Sequence, residues 1–153
     1  MEQNTLLELR TTVQKFVRHF GLLEQSITPC GYSLSLSQVF ALQELESKTL
    51  SVGVLADILL LDRSSVSRLV DQLVKANFVL RNINENNRRE TLLSLTEKGR
   101  TTIHKVRQQS IHFYGKVLQD VSENDQRMIT DGFKMFTTAI TRVKGELKDE
   151  DES

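Results

Sequence analysis

The sequence has one cysteine, one proline and no tryptophan in 153 residues. A single thiol excludes a disulfide framework within the chain and any multi-thiolate metal site. One proline and seven glycines leave few strong breaks, which favours long helices. Aromatic residues are scarce, at 6%. No apolar run approaches the roughly 18 residues needed to span a bilayer. Met1-Glu2-Gln3-Asn4 lacks the basic-then-apolar order of a signal peptide. Also missing are G-x-S-x-G, the P-loop, H-E-x-x-H and a Gly-rich dinucleotide turn, so no enzymatic activity is expected. With 39% hydrophobic and 26% charged residues, the chain has what it needs to fold around a core. The expectation is a cytoplasmic, mainly α protein of one domain, with no cofactor, no metal and no membrane partner.

Net charge is absent too: 20 basic residues balance 20 acidic ones. The charge is segregated, however. Asp62 to Lys105 holds nine Lys/Arg against five Asp/Glu, a local net of +4. The tail from Glu146 to Ser153 holds five acids and one Lys. Such segregation suits one face meant for a polyanion, or ordinary surface variation.

Apolar residues recur at helical spacing from Leu6 through Leu9, Val13, Phe16, Val17, Phe20 and Leu23 to Ile27, predicting a long amphipathic helix ended by Pro29 and Gly31. Ser35 and Gln38 have capping-box spacing before a second helix with Leu36, Val39, Phe40, Leu42 and Leu45. Ser51 can cap a short third helix with Val54, Leu55, Ile58 and Leu59, and Asp62 a fourth with Val66, Leu69, Val70 and Leu73 on one face. Asn77 stands where a helix end wants a left-handed residue. The period then changes to alternation in residues 79–83 and 91–95, around the polar Asn84-Glu85-Asn86-Asn87-Arg88-Arg89, which predicts a two-stranded hairpin with a basic tip. Thr96 caps a fifth helix with Ile103, Val106, Phe113, Val117 and Leu118. Ser122 and Asp125 open a last one. Its row of Ile129, Phe133, Phe136, Ile140, Val143 and Leu147 steps 4, 3, 4, 3, 4, a heptad seam that calls for a partner helix. That partner is either the first or fifth helix of the same chain or a second copy.

Short helix, turn, helix and hairpin with a basic tip make a winged helix-turn-helix. With Val66, Leu69, Val70 and Leu73 inward, Ser64, Arg68, Asp71 and Lys75 project outward in one row, flanked by Ser67 and Gln72. An α-helix fits the major groove, where each base pair shows its own donor and acceptor pattern. Recognition helices read from their N-terminal half, which singles out Ser64, Ser65, Ser67 and Arg68. The first-turn amides can also receive a phosphate. Arg88 and Arg89 suit a minor groove of enhanced negative potential. Neighbours in a strand face opposite ways, so one of the two is expected in the groove and the other on phosphate or a protein carboxylate.

Residues 55–59 and 66–73, then Phe78-Val79-Leu80-Arg81, then the stretch from Asn87-Arg88-Arg89 to Leu95-Thr96-Glu97-Lys98-Gly99 resemble the MarR family of bacterial transcriptional regulators. The last stretch is similar to that family's wing signature, Asp-Arg-Arg followed by Leu-x-Leu-Thr-x-x-Gly. The resemblance implies a winged helix-turn-helix over about residues 36–99, with dimerisation helices at 1–30 and 100–148 and an acidic tail at 149–153. It implies a homodimer joined through its terminal helices, recognition of a palindromic operator in double-stranded DNA by the fourth helix, and repression relieved by a small molecule or oxidant. Two positions depart from the pattern. Asn87 stands for the wing Asp, which removes a carboxylate that would orient a neighbouring Arg. Asn77 stands for the usual Gly after the recognition helix.

The remaining candidates are fewer. Cys30 is the only thiol available for redox sensing, but no Lys, Arg or His adjoins it to lower its pKa. His19, His104 and His112 lack the i, i+4 pairing of metal sites; the last two, eight apart on one helix, would stand about 12 Å apart. Tyr32, Phe40, Phe113 and Tyr114 are candidate linings of an effector crevice. The rival function is a winged helix that binds only protein.

Overall fold

The computed structural model describes residues 1–21 and 33–151, with side chains to residue 144. Cys30 and Tyr32, with Pro29 and Gly31, lie outside the described residues, as does the side chain of Leu147. The element order is α1 (Gln3–His19), α2 (Leu36–Glu44), β1 (Leu50–Ser51), α3 (Val52–Leu59), α4 (Arg63–Lys75), β2 (Val79–Ile83), β3 (Thr91–Leu95), α5 (Glu97–Val117) and α6 (Glu123–Asp151). Two compact units divide the chain, residues 1–113 and 114–153. Among the described residues no helix is long and apolar enough to cross a membrane.

In the first unit the caps form where local chemistry provides them. Ser35 Oγ accepts the Gln38 amide at 3.2 Å and Gln38 Oε1 accepts the Ser35 amide at 2.9 Å, a complete capping box for α2. Ser51 Oγ accepts from Val54 at the start of α3, and Thr96 Oγ1 from Gly99 at the start of α5. At the end of α4, Asn77 has φ 61°, the Phe78 amide bonds the Leu73 carbonyl and the Asn77 amide bonds Val74, a Schellman turn built without glycine.

Helices α2, α3, α4 and α5 and the sheet enclose one apolar core. Val39, Leu42, Leu55, Val66, Val70, Leu73, Val79, Leu93, Ile103 and Val106 are all buried in it. Each fully buried aliphatic side chain contributes roughly 1.5–3 kcal/mol. Phe40, Val54 and Ile58, which share the apolar periodicity, stay exposed. Gly99 is required by packing: a Cβ there would overlap the Phe78 carbonyl oxygen, where α5 crosses the start of β2. Thr96 fixes the same crossing, its hydroxyl donating to the carbonyl of Asn77 at 2.7 Å.

Three features differ from expectation. The first helix ends at His19, well before Pro29. Phe20 closes it and Gly21 follows at φ 78°, its amide on the Arg18 carbonyl; Gly21, a residue free to turn left-handed, is the stop signal. The wing hairpin gains a third strand, in the order β1-β3-β2, with Leu50 opposite Leu93. A strand of two residues is too short to show any periodicity, yet it shields an edge that a bare hairpin would expose. The turn from α3 to α4 places Leu60 at φ 55°, in left-handed backbone that a leucine adopts only under constraint.

In the second unit Ser122 Oγ accepts the Asp125 amide and donates to its carboxylate, opening α6. Gln126 Nε2 donates to the carbonyls of Leu118 and Val121, tying the turn ahead of the helix.

Candidate nucleic-acid interface

Asp62 organises the start of α4. Its Oδ1 accepts the Ser65 amide at 2.8 Å and the Ser64 hydroxyl at 2.6 Å, and its Oδ2 accepts the Ser65 hydroxyl at 2.5 Å. These donors hold the Asp62 carboxyl well below the usual carboxylate range, the Ser64 and Ser65 hydroxyls first among them. A carboxylate therefore already occupies the α4 N-terminus. It takes the Ser65 amide, one of the first-turn donors expected to receive a phosphate. Ser65 Oγ in turn accepts from Arg68 Nη2 at 3.3 Å, which lays the guanidinium back along its own helix.

The α4 face and the wing border an open cleft of about 890 Å³. Ser64, Ser67, Arg68 and Arg89, all singled out in the sequence, line it. Arg63 and Arg81 line it as well, and sequence reasoning missed both. The signal for Arg63 was its place at the first position of the capped helix. Arg81 gave none, because only the register of β2 turns it toward α4. It reaches the Asp71 carboxylate at 2.6 Å and so pins the wing to the outward face of the helix.

The other candidates stand elsewhere. Ser65 is half-buried behind the cap. Gln72 is engaged by Gln38 Nε2 at 3.1 Å, a link from α2 to α4. Lys75 ends α4 on the exposed side, and Arg88 is exposed at the wing tip. At that tip the Asn84 amide bonds the Glu90 carbonyl, Asn84 Nδ2 donates to Glu90 Oε2, and Asn87 Oδ1 accepts the Arg89 amide at 3.3 Å. Asn87 thus holds the Arg89 backbone, without the carboxylate that would orient a neighbouring Arg. Phe40 and Tyr114 are exposed, and Phe113 meets Phe20 edge-on at 6.1 Å. None of the three lines the cleft. His19, His104 and His112 join no group able to hold a metal among the described residues.

Comparison with known proteins adds to this geometry. The model of the MarR family matches residues 34–91. A MarR family protein from Bacillus stearothermophilus has a similar structure, with a TM-score of 0.78 and 24% identity over 92% of this chain and 99% of that one. The transcriptional regulator BldR from Sulfolobus solfataricus is similar at a TM-score of 0.71 and 22% identity, covering 90% of this chain and 99% of that one. A MarR transcriptional regulator from Methanosarcina mazei is similar at 0.70 and 18%, covering 87% and 99%. No curated protein sequence matches the chain.

Proposed function

Starting from a MarR-family segment at residues 34–91 set in that family's winged-helix fold, we propose that the protein is a homodimeric transcriptional regulator that binds double-stranded DNA sequence-specifically. The observation that carries this reading is the cleft between α4 and the wing, with Arg63, Arg68, Arg81 and Arg89 on its walls. Asp71 balances Arg81, which leaves three guanidinium groups facing solvent beside an exposed helix of groove-entering size. Each protomer docks α4 in the major groove and its wing against the flanking backbone or minor groove. The two-fold axis of a dimer then sets two half-sites about one helical turn, roughly 10 base pairs, apart. The family resemblance supports a repressor whose grip on DNA an effector weakens.

The test is a mobility-shift titration of genomic fragments at several salt concentrations. Specific binding is expected, and a wild type with no preference for any fragment would favour the protein-only winged helix. Arg88→Ala with Arg89→Ala should weaken binding to all sequences and flatten the log–log salt slope by about 0.9 for each phosphate that the wing no longer neutralises. Arg68→Ala separates two roles. Relaxed preference at one base pair per half-site marks base reading, worth about 1–3 kcal/mol; uniform weakening marks a phosphate clamp.

A further inference from the structure

The hydrogen-bond polarity of Ser64 deepens the DNA-binding reading and rests on it. A serine hydroxyl has one proton to donate and two lone pairs that accept. At 2.6 Å from Ser64 Oγ, an ionised Asp62 Oδ1 can only accept, so the Ser64 proton is committed to it. Ser65 is spent in the same way on Oδ2, and its oxygen also accepts from Arg68. Of the two hydroxyls, only that of Ser64 stands on the exposed surface and lines the cleft. It presents lone pairs and no proton. The Asp62 carboxylate beside it adds negative potential to the same spot.

We infer that Ser64 is a specificity-determining residue that reads an exocyclic amine in the major groove, the N4 amine of cytosine or the N6 amine of adenine. Those amines are donors that the major groove offers; guanine O6 and N7, thymine O4 and phosphate oxygens are acceptors. Facing an acceptor, Ser64 would have to break its charge-assisted bond to Asp62, which is stronger than the neutral bond it would form. In the major groove each base pair shows its exocyclic amine on one strand only. The preference is therefore for orientation: C or A on one strand of each half-site, with G and T disfavoured there.

The full-length protein and its Ser64→Ala variant are each used to enrich duplexes from a random pool. At one position per half-site the wild type should admit C or A and reject G and T, and the variant should lose that preference while keeping the rest of the profile. A duplex with purine in place of adenine, or 2-pyrimidinone in place of cytosine, at that position lacks only the amine. It should cost the wild type up to about tenfold in affinity and the variant nothing. G or T preferred at the Ser64-dependent position, or an unchanged profile in Ser64→Ala, would overturn the inference and leave DNA binding intact. A wild type that enriches no duplex would overturn DNA binding and this inference with it.

Discussion

On α4, Val66, Leu69, Val70 and Leu73 recur every three or four residues and all four are buried. On α6, Ile129, Phe133, Phe136, Ile140 and Val143 recur in the same way and every one is between 38% and 52% exposed. Helix α1 resembles α6: it buries no residue, and Leu6, Leu7, Leu9 and Phe16 remain exposed. Amphipathic periodicity states that a face has to be covered, without saying by what. In the winged lobe the sheet and neighbouring helices supply the cover from within the chain. At the terminal helices these apolar side chains keep more than a third of their surface exposed, and exposed apolar patches are where partners dock.

The strongest way to break this contrast is to charge the α6 row. Phe136→Asp with Ile140→Asp should convert a dimer into monomers at micromolar concentration, because both charges would be buried in the interface. Sedimentation equilibrium reads the outcome, and a monomeric wild type would show that a second copy is not what covers α6. Within the lobe, the largest single loss is expected from Gly99→Ala. The added Cβ meets the backbone of Phe78, which cannot swing aside as a side chain would. Denaturant unfolding should show destabilisation of about 3 kcal/mol, while the oligomeric state at low denaturant stays that of the wild type.

A smaller, pH-dependent effect belongs to Asp62. Its carboxyl is held below its ordinary range in the folded protein and not in the unfolded chain, so its contribution to stability is complete above the unfolded pKa of about 4. That contribution is lost as the pH falls further, toward the folded pKa. Asp62→Ala should therefore be less stable than wild type at pH 7, and thermal melts of the two should converge as acid is added. The smallest change sharpens the contrast from the other side. Leu60 is left-handed and largely exposed, so Leu60→Gly relieves strain and gives up little burial. A gain of about 0.5–1 kcal/mol is expected; a loss would show that the leucine side chain has a partner.

Much of the fold is legible from residues alone, for a common reason. Ser35 with Gln38, Asp62, Thr96, Ser122 and Asn77 act on backbone groups a few positions away, so their roles can be read from short spacing. The inward face of α4 is equally plain, since a helix fixes which residues share a side. What escapes such reading is set by residues far apart in sequence. Strand β1 exists because β3 lies beside it: Leu50 pairs with Leu93 and Ser51 with Leu92, and only the fold brings these distant positions together. Arg81 enters the cleft because the β2 register aims it at Asp71. The stop at Gly21 is local and legible, but Pro29 further along is the more conspicuous break and draws the expected helix end past it.

By itself, then, the sequence determined the helices, their caps, the wing and the basic segment, all of which follow from steric and hydrogen-bonding rules acting over a few residues. Tertiary structure alone decided which arginines share one cleft, why position 99 admits no side chain, and that β1 pairs with β3. Those depend on the distance between atoms that the chain brings together only when the core excludes water and fixes the elements against one another.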